Sequence, residues 1–257
     1  ISQAEDLLQR AVAEATGLTK LKAETRLALL QTNKGEPMVT VAATLDRLLV
    51  EAEELDEPSL LAEVLANRGI LAGWLGEYFE AAVMLRRSIE HAETAGNRNL
   101  IGLASRWLAV VLMWGPIPVP EALEECERVR RRLGDFGMGE LLVFEGVLMA
   151  MQGDFEGGRA MAAQGRALTE QLGQSVVHAA ASMPAAILEI LSAEPEKAEA
   201  LLREGRDELV RLGDRGFLSS ADGLLAVVLC DQGRFDEAQP LVDEAKKLGA
   251  EDDISTQ

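Results

Sequence analysis

The chain has 257 residues, of which 48% are hydrophobic, and its formal net charge is −18. This length can bury one or two cores, and the negative charge disfavours direct binding to nucleic-acid phosphates. Aromatic residues make up only 4% of the chain, whereas Ala, Leu, Glu and Arg are abundant, which predicts helices almost throughout. The most apolar stretch, residues 100–113, is too short to span a bilayer and contains Arg106. We therefore expect an all-α protein without a membrane segment.

Glycines that would follow amphipathic helices recur along the chain with a period of about 40 residues. Glycine just past a helix end supplies the left-handed backbone conformation that a helix C-cap needs. The spacing therefore predicts that a helix ends at each member of the series, in which an aspartate takes one place: Gly17, Asp56, Gly96, Gly134, Gly173, Gly213 and Gly249.

A second series with the same period marks short turns between helices: Gly35, Gly76, Gly115, Gly153, Ala193 and Gly233. Two interleaved series with one period predict a repeat of two antiparallel helices, and about six and a half repeats fit the chain. We expect about thirteen helices in a right-handed solenoid that forms a single domain over residues 1–257. The first helix of each pair should be buried on most sides, and the second should have a solvated face.

Two proline-containing segments interrupt this regular pattern. The proline-rich run from Trp114 to Pro120 replaces an ordinary turn, and Pro120 is placed to start the next helix. Pro184 lies inside an apolar helical segment and should kink or split that helix near Ser182.

The turn segments carry a family resemblance. Gly76-Glu-Tyr-Phe-Glu-Ala-Ala82 and Gly233-Arg-Phe-Asp-Glu-Ala238, each preceded by a helix with a small residue, resemble the tetratricopeptide repeat. The longer period is similar to that of helical repeats in large bacterial signal-transduction ATPases, and residues 205–257 resemble those of actinobacterial cyclase-like and transcriptional-regulator members. The resemblance implies a non-catalytic sensor or partner-binding arm. It also implies that the chain is a piece of a larger protein.

Motifs of catalysis and metal binding are missing from the sequence. There is no Gly-x-x-x-x-Gly-Lys-Ser/Thr phosphate loop, no His-Glu-x-x-His or Cys-x-x-Cys metal spacing, and no Gly-x-Ser-x-Gly elbow. We therefore expect no catalytic residue, cofactor or metal. Cys126 and Cys230 are far apart and are interpreted as small buried side chains in a reducing cytoplasm.

Candidate binding residues recur eight and nine positions before the turn markers of three successive first helices. They are Asn67, Arg68, Arg106, Trp107 and Glu145. One interpretation is an internal salt-bridge ladder of Arg68 or Arg106 with Glu145. The other is a ligand or peptide groove with Trp107 as its floor and an arginine as anion clamp. His178, in an apolar helix, is either a satisfied core histidine or a further contact.

The leading functional hypothesis is an interaction or effector-sensing module of a bacterial signalling or transcriptional regulator. Its partner would be a protein, a peptide, a small effector or the rest of its own chain, including an ATPase domain. A stand-alone assembly or chaperone adaptor is the alternative, and an enzyme with a cryptic site in the groove is the third hypothesis. The sequence leaves the oligomeric state open.

Overall fold

The computed structural model describes residues 2–32, 36–133 and 137–248, which contain fourteen α-helices and no strand. The helices are α1 (Ser2–Glu14), α2 (Gly17–Thr32), α3 (Met38–Leu55), α4 (Pro58–Trp74), α5 (Tyr78–Thr94), α6 (Arg98–Trp114), α7 (Val119–Arg130), α8 (Met138–Met151), α9 (Phe155–Gln171), α10 (Ser175–Ala180), α11 (Ser182–Leu191), α12 (Pro195–Leu212), α13 (Gly216–Asp231) and α14 (Phe235–Leu248).

We call the first and second helices of each pair A and B. The pairs are α2/α3, α4/α5, α6/α7, α8/α9, the interrupted helix α10–α11 with α12, and α13/α14, and α1 precedes them. This arrangement confirms the predicted all-α repeat fold.

The helix ends follow the two marker series. At Gly213, which has a φ of 70°, the next N–H, that of Asp214, donates to the carbonyl of Leu209 over 3.0 Å. This hydrogen bond closes the C-terminal turn of α12. Gly35, Gly134 and Gly249 lie outside the described residues. The other markers with positive φ are Gly17, Asp56, Gly76, Gly96, Gly153, Gly173, Ala193 and Gly233.

The proline-containing segments also form as predicted. Pro118 is the N-cap of α7, and Pro120 lies in its first turn, where a missing N–H costs no helical hydrogen bond. The helix around Pro184 is divided at Ala181 into α10 and α11. This confirms the predicted break near Ser182, because a proline cannot donate the hydrogen bond that would continue the helix across the preceding turn.

Burial differs between A and B helices as the sequence predicted. In α4, an A helix, 12 of 17 residues are buried, whereas its partner α5 buries 6 of 17. An A helix therefore has neighbours on most sides, while a B helix keeps a solvated face.

Small residues at the crossing point let the A and B helices of a pair pack closely together. A Cβ added to Gly146 of α8 would lie 2.5 Å from the carbonyl oxygen of Gly158 in α9. The same positions in the last pair hold Ala226 and Ala238, which share one buried cluster. The small residues at these positions thus determine how near the two helices can approach.

The chain divides into two compact units, Ile1–Val111 and Leu112–Gln257. In the first unit, α3 packs on α4 and α2 on α4; in the second, α8 packs on α11 and α11 on α13. Within each unit these A helices thus contact the preceding B helix or the neighbouring A helix, as stacked repeats require. A single continuous domain stays a prediction. Among the described helices, none is long and apolar enough to cross a membrane.

Candidate functional site

Asn67 is a structural residue of the first unit. It is buried in α4, and its Nδ2 donates to the carbonyl oxygen of Thr25 in α2 over 3.2 Å. This bond joins two successive A helices and satisfies a polar group that would be costly to bury alone. The structure therefore places Asn67 in the core.

Arg68 is also largely buried and is held by two carboxylates. Its Nε donates to Asp46 Oδ1 of α3 at 2.7 Å, and its Nη1 donates to Glu77 Oε2, in the turn after α4, at 3.3 Å. Only 11% of the Arg68 side chain is exposed. A ligand would have to displace these carboxylates to use this guanidinium as an anion clamp.

Glu145 pairs inside the second unit. Its carboxylate is buried in α8 and accepts from Arg130 Nη1 of α7 at 3.3 Å. Burial raises the pKa of Glu145, and the positive charge of Arg130 partly opposes this rise. Cys126 in α7 is buried as expected, and burial, together with the negative charges of Glu145 and Glu125, raises its pKa to about 12.

Two further pairs of this type were not identified from the sequence. Arg159 of α9 donates to Glu189 of α11 at 2.8 Å. Arg206 of α12 donates to Asp222 of α13 at 2.5 Å. The hydrogen bonds from Arg159 lower the pKa of Glu189, despite burial. The only sequence signal was a charged residue in an otherwise apolar A helix.

His178 makes local contacts within the second unit. Its Nδ1 lies 3.1 Å from Thr169 Oγ1 and 3.1 Å from the carbonyl oxygen of Arg166, both in α9. These contacts tie α10 to the end of α9. They satisfy the Nδ1 atom of a partly buried histidine.

Arg106 and Trp107 differ from the other candidates because they form a partly exposed cluster. The guanidinium carbon of Arg106 lies 5.2 Å from the centroid of the Trp107 ring. Trp107 packs edge-on against Trp74 of α4, with centroids 5.5 Å apart and planes at 83°. All three side chains are half-buried. Trp74 was missed from the sequence, although it stands two residues before a turn marker and is one of only three tryptophans.

The described residues contain no group of three or more His, Cys, Asp or Glu side chains placed to hold a metal ion. The sulfur of Cys230 is a free thiol, and the residue is exposed near the end of α13. Its expected burial was wrong, because it lies on the same side of α13 as Val227, which is 53% exposed.

No protein-family model matches this chain, and no curated protein matches it. Among solved structures, it is similar to a Signal Transduction ATPase with Numerous Domains (STAND) protein with a tetratricopeptide repeat sensor from Pyrococcus horikoshii, at 15% identity and a TM-score of 0.59. The similarity covers 96% of this chain and 37% of that one. BtubC from P. vanneervenii matches at 16% identity over 96% of this chain and 87% of that one, with a TM-score of 0.43. The first similarity shows the tetratricopeptide-like fold.

Proposed function

We propose that this chain is a non-catalytic interaction or sensing module, and that its binding face contains Arg106, Trp107 and Trp74. The observation that carries the proposal is the half-buried tryptophan pair with a guanidinium over one of its rings. Such a cluster offers apolar contact area, two indole N–H groups and a cation at one place. Tryptophan and arginine are the residues that most often dominate binding energy at interfaces.

The remaining candidates support this face indirectly. Arg68 and Glu145 are occupied by buried ion pairs, and Asn67 is occupied by a backbone carbonyl. Asn67 and Arg68 hold α4 to its neighbours within the first unit, so they position the face instead of contacting a partner. Glu145 holds α8 to α7 within the second unit. Within the groove predicted from the sequence, we propose the Arg106–Trp107–Trp74 cluster as the contact surface.

The solved STAND protein carries its repeats as a sensor within a longer chain. By analogy of fold, we propose that this chain is the sensing arm of a cytoplasmic bacterial signalling or transcriptional regulator. Its partner would be a protein or peptide, the ATPase part of its own protein, or a small effector. The STAND neighbour and the half-exposed aromatic cluster support this role.

Thermal unfolding and calorimetry test the proposal. The chain is titrated with the remainder of its native protein, supplied separately, and with peptide and small-molecule libraries, because a ligand of the folded state raises the melting temperature. Trp107→Ala and Arg106→Gln should weaken the response about tenfold or more. Trp114→Ala is the matched control, since Trp114 is an exposed tryptophan on the same helix.

Retention of binding by Trp114→Ala together with its loss in Trp107→Ala would support the binding face. Equal affinity in all three variants would reject the face. If no component of the native protein and no library compound stabilised the chain, the sensing function itself would be rejected.

A further inference from the structure

The last A helix in the described part of the chain, α13, has an uncovered side, which we call its open face. Val227 on this face is 53% exposed, Cys230 is exposed, and a Cβ added at Gly223 would meet no atom within 4 Å. Leu224 beside them is half-buried. These residues recur at helical spacing, so they form one continuous surface, and no charged side chain interrupts it.

An earlier A helix uses the same positions to pack on the A helix that follows it. Ala66 stands ten residues before its turn marker, as Gly223 does, and shares a buried cluster with Leu100 of α6. A Cβ added at Gly73, the counterpart of Cys230, would lie 3.5 Å from an atom of α6. The open face therefore continues the packing surface between successive A helices, and its shape suits one more apolar helix.

The two ends of the open face carry opposite charges that α13 itself disfavours. Arg215 directly precedes α13 and Asp231 is its last residue. Both are exposed, and neither side chain makes an ion pair or hydrogen bond in the described part of the chain. A helix favours anions at its N-terminus and cations at its C-terminus, so each charge lies at the unfavourable end. The arginines of α12 and of the next turn, by contrast, all have carboxylate partners: Arg203, Arg206, Arg211 and Arg234.

An antiparallel second copy of α13 would neutralise both ends together. If two open faces pack around a twofold axis near Gly223, Arg215 of each copy lies beside Asp231 of the other. Each charge is then at the end of the second helix that favours it. The two residues are 16 positions apart, or about 24 Å along the helix, and this separation is the same in both copies. Both charge pairs can therefore form at once, while the missing side chain at Gly223 lets the backbones approach closely.

We propose that the chain forms a twofold homodimer through the open faces of two α13 helices. Val227 and Leu224 supply the apolar contact, and the Arg215–Asp231 pairs at both ends set the antiparallel orientation. A second copy carries both the matching apolar surface and the complementary charges. The dimer does not depend on the tryptophan cluster of the first compact unit, so either proposal can fail alone.

Analytical ultracentrifugation of the chain between about 1 µM and 1 mM tests the proposal. We expect a reversible monomer–dimer equilibrium at an ionic strength of about 0.15 M, which screens the repulsion between two acidic chains. Val227→Glu should raise the dissociation constant about tenfold or more, because it places a carboxylate in the apolar contact. Val210→Glu is the matched control, since Val210 is 51% exposed on α12, outside the open face. It should change the dissociation constant less than about twofold.

Charge reversal tests the antiparallel arrangement. Arg215→Asp and Asp231→Arg should each weaken the dimer about tenfold, because each brings like charges together at both ends. Each substitution also suits the dipole of its own helix, so a lost dimer could not be attributed to unfolding. An equal mixture of the two variants should recover the affinity as a heterodimer, in which an acid faces a base at both ends.

Three outcomes would overturn the proposal. The first is a monomer at every concentration, or a dimer that Val227→Glu and Val210→Glu weaken equally. The second is failure of the mixed charge variants to recover affinity, which would exclude the antiparallel contact. The third is displacement of the second copy by the remainder of the native protein, supplied separately, because the open face would then belong to that segment.

Discussion

Arg206 of α12 and Asp222 of α13 are joined by a hydrogen bond of 2.5 Å between Nε and Oδ1, and Asp222 is fully buried. Its second oxygen, Oδ2, is also buried and has no hydrogen-bond partner among the described residues. Burial is the main cause that raises the pKa of Asp222, and Arg206 opposes it. The interface between this B helix and the next A helix thus contains a carboxylate that depends on one arginine.

The same relation recurs along the chain, with its polarity reversed in the first unit. Arg130–Glu145 and Arg159–Glu189 also place the cation on a B helix and the acid on a following A helix. In the first unit, Arg68 supplies the cation from the A helix and Asp46 the acid from the B helix. A buried charge of an A helix is therefore neutralised by a preceding B helix in each case.

Replacing Arg206 should expose this dependence. Arg206→Gln leaves Asp222 buried without its cation, and we expect a loss of about 2–4 kcal/mol in the free energy of unfolding. Urea denaturation followed by circular dichroism measures it. Arg211→Gln, which removes an exposed arginine paired with Glu208 on the same helix, should cost less than about 1 kcal/mol. Equal effects of the two substitutions would show that the buried pair contributes no more than a surface pair.

A second prediction concerns the close crossing of α8 and α9. In Gly146→Ala the new Cβ would meet the Gly158 carbonyl oxygen at 2.5 Å and the Ala162 nitrogen at 3.1 Å. Backbone atoms cannot rotate away, so the helices must separate, and we expect a loss of about 3 kcal/mol. Gly223→Ala is the control, because a Cβ there meets nothing within 4 Å. It should stabilise α13 by about 0.5–1 kcal/mol. Hydrogen exchange of the α8 and α9 amides would reveal a local loosening, and unchanged protection would contradict the prediction.

A third prediction uses the turn markers. Ala193 is held at a φ of 58°, which an L-residue with a Cβ adopts only at a cost. Ala193→Gly should raise the free energy of unfolding by about 0.5–1 kcal/mol, since relief of this strain exceeds the added entropy of the unfolded chain. The reverse change, Gly213→Ala at a φ of 70°, should lower it by about 1 kcal/mol. Thermal unfolding of both variants gives the test, and shifts of the same sign would refute the assignment of these markers.

Local chemistry explains why the helices could be predicted from sequence. Markers such as Gly213 and Gly76 act within a few residues of their own helix end, so their spacing alone predicts the boundaries. The break at Pro184 is equally local. Charge partners depend on how each helix is rotated against its neighbours. Arg159 and Glu189 lie 30 residues apart and Arg130 and Glu145 lie 15 apart, so no fixed spacing identifies them.

The candidate site could also be predicted only in part, because contacts between helices depend on how the helices are rotated against each other. Arg68 and Glu145 share a register in the repeat, which suggested a common groove or ladder, but each is satisfied by a helix of its own unit. Arg106 and Trp107 were recognised as candidates from that register. Trp74 was missed, because its contact with Trp107 joins different positions of two A helices.

The last prediction concerns pH. The hydrogen bonds from Arg159 lower the pKa of Glu189 below its usual 4.5, whereas burial raises the pKa of Glu145 above it. Folded Glu189 binds its proton more weakly than the unfolded chain does. The stability it contributes is therefore present above pH 4.5 and is lost as the pH falls through its folded pKa. Folded Glu145 binds its proton more strongly, so its ionisation costs stability as the pH rises from 4.5 through its folded pKa.

Two glutamine variants separate these effects. The free energy of unfolding of the wild type minus that of Glu189→Gln should decrease as the pH is lowered below 4.5. The same difference for Glu145→Gln should increase as the pH is lowered towards 4.5. Urea denaturation at a series of pH values measures both, and Glu196→Gln, at an exposed carboxylate of α12, gives the reference. Parallel curves for the two variants would contradict the opposite environments, because only opposite pKa shifts can give differences that diverge with pH.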